Sequence, residues 1–409
     1  MLLDTDIDEL MQPFMDRQQS LENYVVQVIA KRVKEVGTMS KSDLHKLERL
    51  YRTGSDVQAI NEAIATTTGL QVRDIKKLIR YVAANAYSYV KPYYDYRHKT
   101  FIPLDRNIPL MRVVNAISRQ TQGACKNLSN SQVVGFMIRD RKRPSKMRFY
   151  NAADAYKSII DEAIQAVQGG VIDYGTAMRN TMKQLGQSGL QTAVWESGYH
   201  QRLDVAVKRN ILNGVQQINQ QVALITGEQF DADGVELTAH EFPAPDHAPF
   251  QGRMFEMAEY EKLQNHEAFK DTKGHRYPAQ KRIIGELNCR HFAYPVVLET
   301  AKPTFSEKQL NDILKRNEKG ATLPNGQHLT AYEVTQKQNQ LALKVRKLKD
   351  MQVMAQQAGN EALAKEYQSK VNTATKVYNL FNKQVGSQIG LSDRKDKLRV
   401  TGYKRISTK

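Results

Sequence analysis

A long stripe of apolar residues at helical spacing constrains the fold more than any other feature of this sequence. Seven aliphatic side chains follow one another at steps of three or four residues: Leu203, Val207, Ile211, Val215, Ile218, Val222 and Ile225. This spacing puts them all on one face of an α-helix about six turns long. Because a continuous apolar face has to be buried, we expect this helix to be the spine of the central region.

Shorter helical patterns lie on both sides of the spine. We predict amphipathic helices at residues 21–36, 42–51, 72–82, 152–167 and 174–185. Polar residues separate the apolar stripes of the first three, so their apolar faces should be buried on one another or on a partner. Beyond Pro303 a seam from Leu341 to Met354 precedes a break at Gly359 and a second helix through Val385, which predicts an antiparallel hairpin.

The pattern changes from helix to strand after Gly227. Val235, Leu237 and Ala239 alternate with polar residues, which is the period of a half-buried strand, and a proline-rich loop follows. We therefore predict a mainly α fold with a small α+β module. Its expected parts are a helical N-terminal region with a basic, Tyr-rich segment (1–150), a helical spine (151–227), the α+β module (228–300) and a basic helical hairpin tail (301–409).

The net charge of +17 is concentrated in two parts of the chain. Residues 91–150 carry 13 basic and 3 acidic side chains, and residues 301–409 carry 21 and 9, whereas residues 1–90 have no net charge and residues 151–300 are net acidic. Basic blocks of this kind favour sequence-independent binding of a polyanion such as packaged double-stranded DNA. A solvated helix face is the alternative interpretation.

Candidate nucleic-acid-binding residues come from both basic blocks. They are Arg139, Arg141, Lys142, Arg143, Lys146 and Arg148, and, in the tail, Lys344, Arg346, Lys347 and Lys349. Pro144 interrupts the first cluster, so we expect an exposed loop there. Five tyrosines between Tyr87 and Tyr96 are either a stacking surface for single strands or, as is commoner, core or interface anchors.

Compartment signals are few. No stretch approaches the roughly 18 consecutive apolar residues of a membrane-spanning helix, and residues 1–10 carry four acids where a signal peptide needs basic residues. We therefore expect a protein made in a cytoplasm, without membrane contact. Cys125 and Cys289 stand far apart in unrelated contexts, so both are expected to be reduced.

Several separated motifs occur in a specific order from residue 202 onwards. They are Arg202-Leu-Asp204, Asn210-Ile-Leu-Asn-Gly214, Thr238-Ala-His240, Pro245-Asp-His247, Gln251-Gly252, Gly274-His275-Arg276-Tyr277 and Asn288-Cys-Arg-His291. This order resembles the phage minor capsid protein 2 family, a branch of the MuF-type minor head proteins of tailed bacteriophages. The resemblance covers roughly residues 150–400. We expect no toxin-like extension after Lys409, so the resemblance does not predict an effector activity.

The resemblance implies a structural role in a virion. It predicts a minor head protein in the head interior or at the portal vertex, assembled in the host bacterial cytoplasm and bound to the portal protein, the major capsid protein or both. It would face the packaged DNA and would not be an enzyme. The alternatives are a metal-dependent hydrolase or toxin-like enzyme, and a free sequence-independent nucleic-acid-binding protein.

Four residues of the module have the chemistry of metal ligands. One thiolate and three imidazoles, from His240, His247, Cys289 and His291, would satisfy a tetrahedral structural zinc. Cys289 and His291 stand two apart and would share a face of an extended strand. Alternatively, the histidines form a hydrogen-bonded loop together with Asp246, Gln251, Gly252 and Arg290.

Catalysis is the third hypothesis for this constellation. A metal-bound water with His247 or Asp246 as base would hydrolyse a substrate, and a cysteine-histidine pair would supply a nucleophile. However, the sequence lacks a helix-borne ligand pair such as His-Glu-x-x-His, and Gly169-Gly170 lacks the Lys-Ser/Thr that completes a phosphate-binding loop. The sequence therefore favours a structural function.

Overall fold

A computed structural model describes residues 4–38, 54–140, 142–168, 174–194, 199–285, 289–357, 359–394 and 398. The helix expected at 42–51, the Gly169-Gly170 turn, Arg141 and Asn288 lie outside these residues. Helices make up most of the described chain. They are α1 (Asp4–Thr38), α2 (Ser55–Tyr89), α3 (Lys91–Tyr96), α4 (Ile108–Leu128), α5 (Ala152–Gln168), α6 (Tyr174–Ser188), α7 (Leu203–Gln229), α8 (Met257–Gln264), α9 (Glu307–Lys319), α10 (Ala331–Gln357) and α11 (Glu361–Gln384).

The strands form small antiparallel sheets. They are β1 (Val134–Asp140), β2 (Arg143–Asn151), β3 (Gln191–Val194), β4 (Tyr199–Arg202), β5 (Gly234–Leu237), β6 (Met254–Glu256), β7 (Phe269–Lys270), β8 (Arg276–Tyr277), β9 (Ala293–Val296), β10 (Ala321–Thr322) and β11 (His328–Leu329). One sheet has the order β2-β1-β3-β4 and another the order β6-β5-β9, while β7-β8 and β10-β11 are two-stranded. The predicted fold class, mainly α with a small α+β module, is confirmed.

The N-terminal helices bury their apolar faces on one another and on the spine. Helix α1 begins far before the predicted residue 21, because Ile7, Met11 and Phe14 continue the same buried stripe. Ile29 of α1 and Ile79 of α2 are fully buried in the core that they share with α7. The apolar faces of α1 and α2 are therefore buried within the chain itself, which is the first of the two expected alternatives.

The predicted spine is helix α7, which packs against α2 and α4. Val207, Ile211, Ile218 and Val222 are fully buried along it, as the stripe requires. Aromatic rings pack against one another at the C-terminal end of α7. Tyr94 packs edge-on to Phe230 just beyond α7, at 5.4 Å between ring centroids. The buried tyrosines of this segment thus behave as core anchors.

The expectation of a loop at the first basic cluster is wrong. Residues 134–151 form a β-hairpin in which Ile138 pairs with Arg148 and Asp140 with Arg143. Pro144 is accommodated because β2 is an edge strand, where a residue without an N–H costs no ladder hydrogen bond. The cluster is exposed, as expected, but it lies on a β-hairpin at the edge of a four-stranded sheet.

The α+β module has a core of its own around its three-stranded sheet. Strand β5 lies between β6 and β9 and is buried on both faces, so the prediction of a half-buried strand is wrong. Glu236, expected to face solvent, is only 2% exposed. Its carboxylate accepts hydrogen bonds from the backbone N–H and the hydroxyl of Thr304, at 2.6 and 3.0 Å.

The C-terminal hairpin is confirmed as two long helices. Helices α10 and α11 pack along each other, and Gly359 between them has the left-handed φ of 66°. The turn end of this hairpin reaches the main core, to which Met354 and Leu363 contribute. The hairpin is therefore anchored to the helical body.

Candidate functional site

The predicted histidines and cysteine come together at one edge of the α+β module. His247 lies in the proline-rich loop between β5 and β6, and Cys289 and His291 lie in the segment that leads into β9. Because β5 and β9 pair antiparallel, the chain leaving β5 lies beside the chain entering β9. The backbone N–H of Thr238 donates to the carbonyl of Phe292 at 2.9 Å and extends this pairing up to the cluster.

Three of the four candidate ligands converge on one point. Nδ1 of His247 lies 3.4 Å from Nδ1 of His291, and Sγ of Cys289 lies 3.4 and 3.5 Å from these two nitrogens. The residues are buried, with 0, 3 and 4% of His247, His291 and Cys289 exposed. Within the described residues these three are the group whose geometry could hold a metal ion.

His240, the fourth candidate, is a neighbour of the group. Its ring packs against the ring of His291 with 4.1 Å between centroids and an interplanar angle of 49°. Its backbone is held by Gln251: the His240 N–H donates to Gln251 Oε1 at 2.8 Å, and Gln251 Nε2 donates to the His240 carbonyl at 3.1 Å. The same Oε1 lies 3.0 Å from Nε2 of His291.

The expected loop residues support the cluster from outside. Asp246 accepts two hydrogen bonds from Arg282, at 2.7 and 2.8 Å, and the carbonyl of Arg282 lies 2.9 Å from Nε2 of His247. Gly252 has a φ of 67°, and an added Cβ would lie 2.5 Å from the side chain of Leu310. Arg290 is half-buried beside Cys289.

The helical spine also fixes this site. Gln216 of α7 donates from Nε2 to the carbonyl of Cys289 at 2.7 Å. Neither Gln216 nor Arg282 was singled out in the sequence. Gln216 contacts a residue 73 positions away in sequence, and Arg282 contacts one 36 positions away. Such contacts depend on tertiary packing, so no local sequence pattern identifies these two residues.

Burial controls the electrostatics of the cluster. It lowers the pKa of His247, and it lowers that of His291 well below the usual value, with the neighbouring imidazoles as a further cause for His291. Burial raises the pKa of the Cys289 thiol. Both imidazoles are therefore neutral at physiological pH, which is the form that can coordinate a metal.

The first group of candidate DNA-binding residues lies on the β1–β2 hairpin. The side chains of Arg139, Lys142, Arg143, Lys146 and Arg148 are all exposed. Asp140 lies beneath the turn, 3% exposed, and accepts the backbone N–H of Lys142 at 2.9 Å. Arg141 lies outside the described residues.

The second group lies on α10 and is less open. Lys344 is exposed, whereas Arg346, Lys347 and Lys349 are half-buried. Lys349 donates from Nζ to the carbonyl of Leu398 at 2.7 Å. The two groups of candidates thus differ in exposure. The hairpin group is open to solvent, whereas most of the α10 group is partly buried against the rest of the chain.

A buried charge cluster beneath α10 was not predicted. Arg202 lies 2.9 Å from a carboxylate oxygen of Glu22 and 3.1 Å from one of Asp204. Asp350 belongs to the same cluster and accepts a hydrogen bond from Gln19 at 3.2 Å. The cluster joins α1, α7 and α10, whose members are up to 331 residues apart in sequence.

These features define a mainly helical protein that combines a small α+β module with a buried His/Cys cluster, a basic edge hairpin and an anchored helical hairpin. A family model described as phage minor capsid protein 2 matches residues 2–381. Since the match covers most of the chain, the protein belongs to this family, and the resemblance predicted from the ordered motifs is confirmed.

Family membership makes the protein a structural component of the phage capsid and places it in the virion. No curated protein and no solved structure matches the chain significantly. Among the helices that the structure describes, none is both long enough and apolar enough to cross a membrane.

Proposed function

We propose that this capsid protein is held near the portal vertex of the head and contacts the packaged double-stranded DNA through its β1–β2 hairpin. The family supports a virion role, and the family resemblance supports the portal and major capsid proteins as partners. The observation that carries the DNA contact is the row of exposed basic side chains on an edge hairpin.

The charge balance of the hairpin favours a polyanion. Its one acid between residues 139 and 148 is Asp140, whose carboxylate is buried against the turn, while the basic side chains project into solvent. A polyanion that approaches this edge exchanges condensed counterions for lysine and arginine. Such contacts read phosphate and not base identity, which suits a packaged genome.

The test is DNA binding by the full-length protein as a function of salt. Each neutralised phosphate contributes about −0.9 to the slope of log K against log salt. Changing Lys142, Arg143 and Lys146 together to Gln should therefore flatten that slope by roughly 2 to 3. The matched control changes Lys76, Lys77 and Arg80, three exposed cations of α2 in the segment without net charge, and should leave most of the slope intact.

Three outcomes would contradict the proposal. They are an affinity that is indifferent to salt, a dependence on one DNA sequence, and an equal loss in the hairpin and control variants. The last would mean that overall charge, and not the hairpin, holds the DNA.

The burial of the His/Cys cluster supports a structural function over a hydrolytic one. A hydrolytic metal has to expose a coordination position to its substrate, whereas His247, Cys289 and His291 are at most 4% exposed. Asp246, the nearest candidate base, is held by two hydrogen bonds from Arg282.

A further inference from the structure

We infer that Nδ1 of His247, Nδ1 of His291 and Sγ of Cys289 bind one zinc ion, which ties the proline-rich loop to the segment entering β9. This inference does not depend on the proposed contact with DNA. It rests on the orientation of the two imidazoles, the spacing of the three donor atoms and their burial.

The hydrogen bond of His247 fixes its ring. Nε2 lies 2.9 Å from the carbonyl oxygen of Arg282, which can only accept. Nε2 therefore carries the proton, and Nδ1 presents a lone pair towards Cys289 and His291. A metal-ligating histidine characteristically donates its outer N–H to a backbone carbonyl in this way.

The ring of His291 is fixed by the amide of Gln251. Because the backbone N–H and carbonyl of His240 bind both ends of that amide, Oε1 is the atom facing Nε2 of His291, at 3.0 Å. His291 must donate from Nε2, so its Nδ1 also presents a lone pair. The two Nδ1 atoms thus face each other across 3.4 Å without a proton of their own.

The spacing of the donor atoms fits a tetrahedral ion. Zinc–nitrogen bonds of about 2.0–2.1 Å and zinc–sulfur bonds of about 2.3 Å put two nitrogens roughly 3.4 Å apart and a nitrogen and a sulfur roughly 3.5 Å apart. The observed separations are 3.4 Å between the nitrogens and 3.4 and 3.5 Å to the sulfur. Without an ion, the single thiol proton of Cys289 can satisfy only one of the two nitrogens.

The ligand types suit zinc, and the burial indicates a structural role. One thiolate and two imidazoles are soft to borderline donors, which disfavour magnesium and calcium. The three ligands converge on one point within the described residues. On binding, the Cys289 thiol loses its proton to solvent and becomes the thiolate ligand.

The experiment is elemental analysis of the full-length protein produced with zinc, followed by replacement with cobalt. Wild type should hold about one zinc per chain. Its cobalt form should show thiolate-to-cobalt charge-transfer absorption and the intense visible bands of a tetrahedral site. Cys289→Ser should lose the charge-transfer band and most of the metal, and His247→Gln should also lose metal.

The chain supplies a matched control in its second cysteine. Cys125 is also buried but lies in the helical core, so Cys125→Ser should keep the metal. If Cys289→Ser does not fold, the wild type still decides: a strong chelator should lower its Tm, and added zinc should restore it. A metal-free wild type whose Tm a chelator leaves unchanged would overturn the inference, as would full metal retention in a folded Cys289→Ser protein.

Discussion

The side chain of Asp350 is buried between helices, only 5% exposed, close to the paired charges of Arg202 and Glu22. Burial, together with the negative charge of Glu22, raises the pKa of Asp350 to about 7 from its usual 3.8. A carboxyl group whose pKa is raised on folding stabilises the folded state below its unfolded pKa. That contribution is lost as the pH rises through the folded pKa.

We therefore predict that Asp350→Asn becomes progressively more favourable relative to wild type between about pH 4 and about pH 7. Asparagine keeps the acceptor for Gln19 and removes the buried charge. One pKa unit corresponds to about 1.4 kcal/mol, so the difference in free energy of unfolding should grow by about 2 to 3 kcal/mol from pH 5 to pH 8. Denaturant unfolding at both pH values measures it.

The control for this prediction is Asp312→Asn on the exposed face of α9, for which the difference from wild type should be small at both pH values. A difference for Asp350→Asn that stays constant, or that shrinks as the pH rises, would show that the carboxylate is not held in an unfavourable charged state.

Residue types identified the His/Cys cluster from sequence, but not its geometry. The spacing of Cys289 and His291 predicted that both would face the same way, and they do converge. His240, also a candidate ligand, lies beside His291 with the two rings tilted by 49°. Gln251 was expected only as a loop residue, although its amide orients one of the imidazoles, because hydrogen-bond direction depends on contacts between distant segments.

Helix α1 shows how a single element joins the helical body to the C-terminal hairpin. It packs on α2, α5, α6 and α7 and also on α10. Ile29 lies at its centre and is fully buried. Because α1 contributes to one continuous core, its loss should destabilise the whole helical body.

We predict that Ile29→Ala lowers the free energy of unfolding by about 2 to 5 kcal/mol, the usual cost of such a truncation in a packed core. Ile108→Ala is the matched control, because Ile108 begins α4 with 63% of its surface exposed and should change stability by less than about 0.5 kcal/mol. Urea unfolding of both variants measures the effects. Equal effects would mean that α1 is only loosely attached.

Helices and strands were predicted correctly where the apolar residues are regularly spaced. The prediction failed where charged residues replace apolar ones in the pattern. The spine and the C-terminal hairpin follow from stripes spaced by three and four residues. The β1–β2 hairpin was missed because the outer strand is exposed and basic and contains Pro144, so apolar alternation is visible only in β1. Short strands β3 and β4 carry too few residues to show a period.

Over the whole molecule, folding places the two basic blocks in different surroundings. The hairpin cations of residues 139–148 lie on an open sheet edge, whereas cations of the tail partly serve contacts within the chain, as Lys349 does with Leu398. Net charge alone would predict DNA binding by both blocks. We therefore propose the hairpin, and not the tail, as the main DNA-facing surface.

The central claim, a minor head protein at the portal vertex, is tested most directly by crosslinking and quantitative mass spectrometry of purified, nuclease-treated heads of the phage. The chain should be recovered in far fewer copies than the major capsid protein. It should crosslink to the portal protein, and in DNA-filled heads the β1–β2 hairpin should crosslink to DNA. Recovery only in the unassembled fraction of the infected cell, with none in purified heads, would contradict the account.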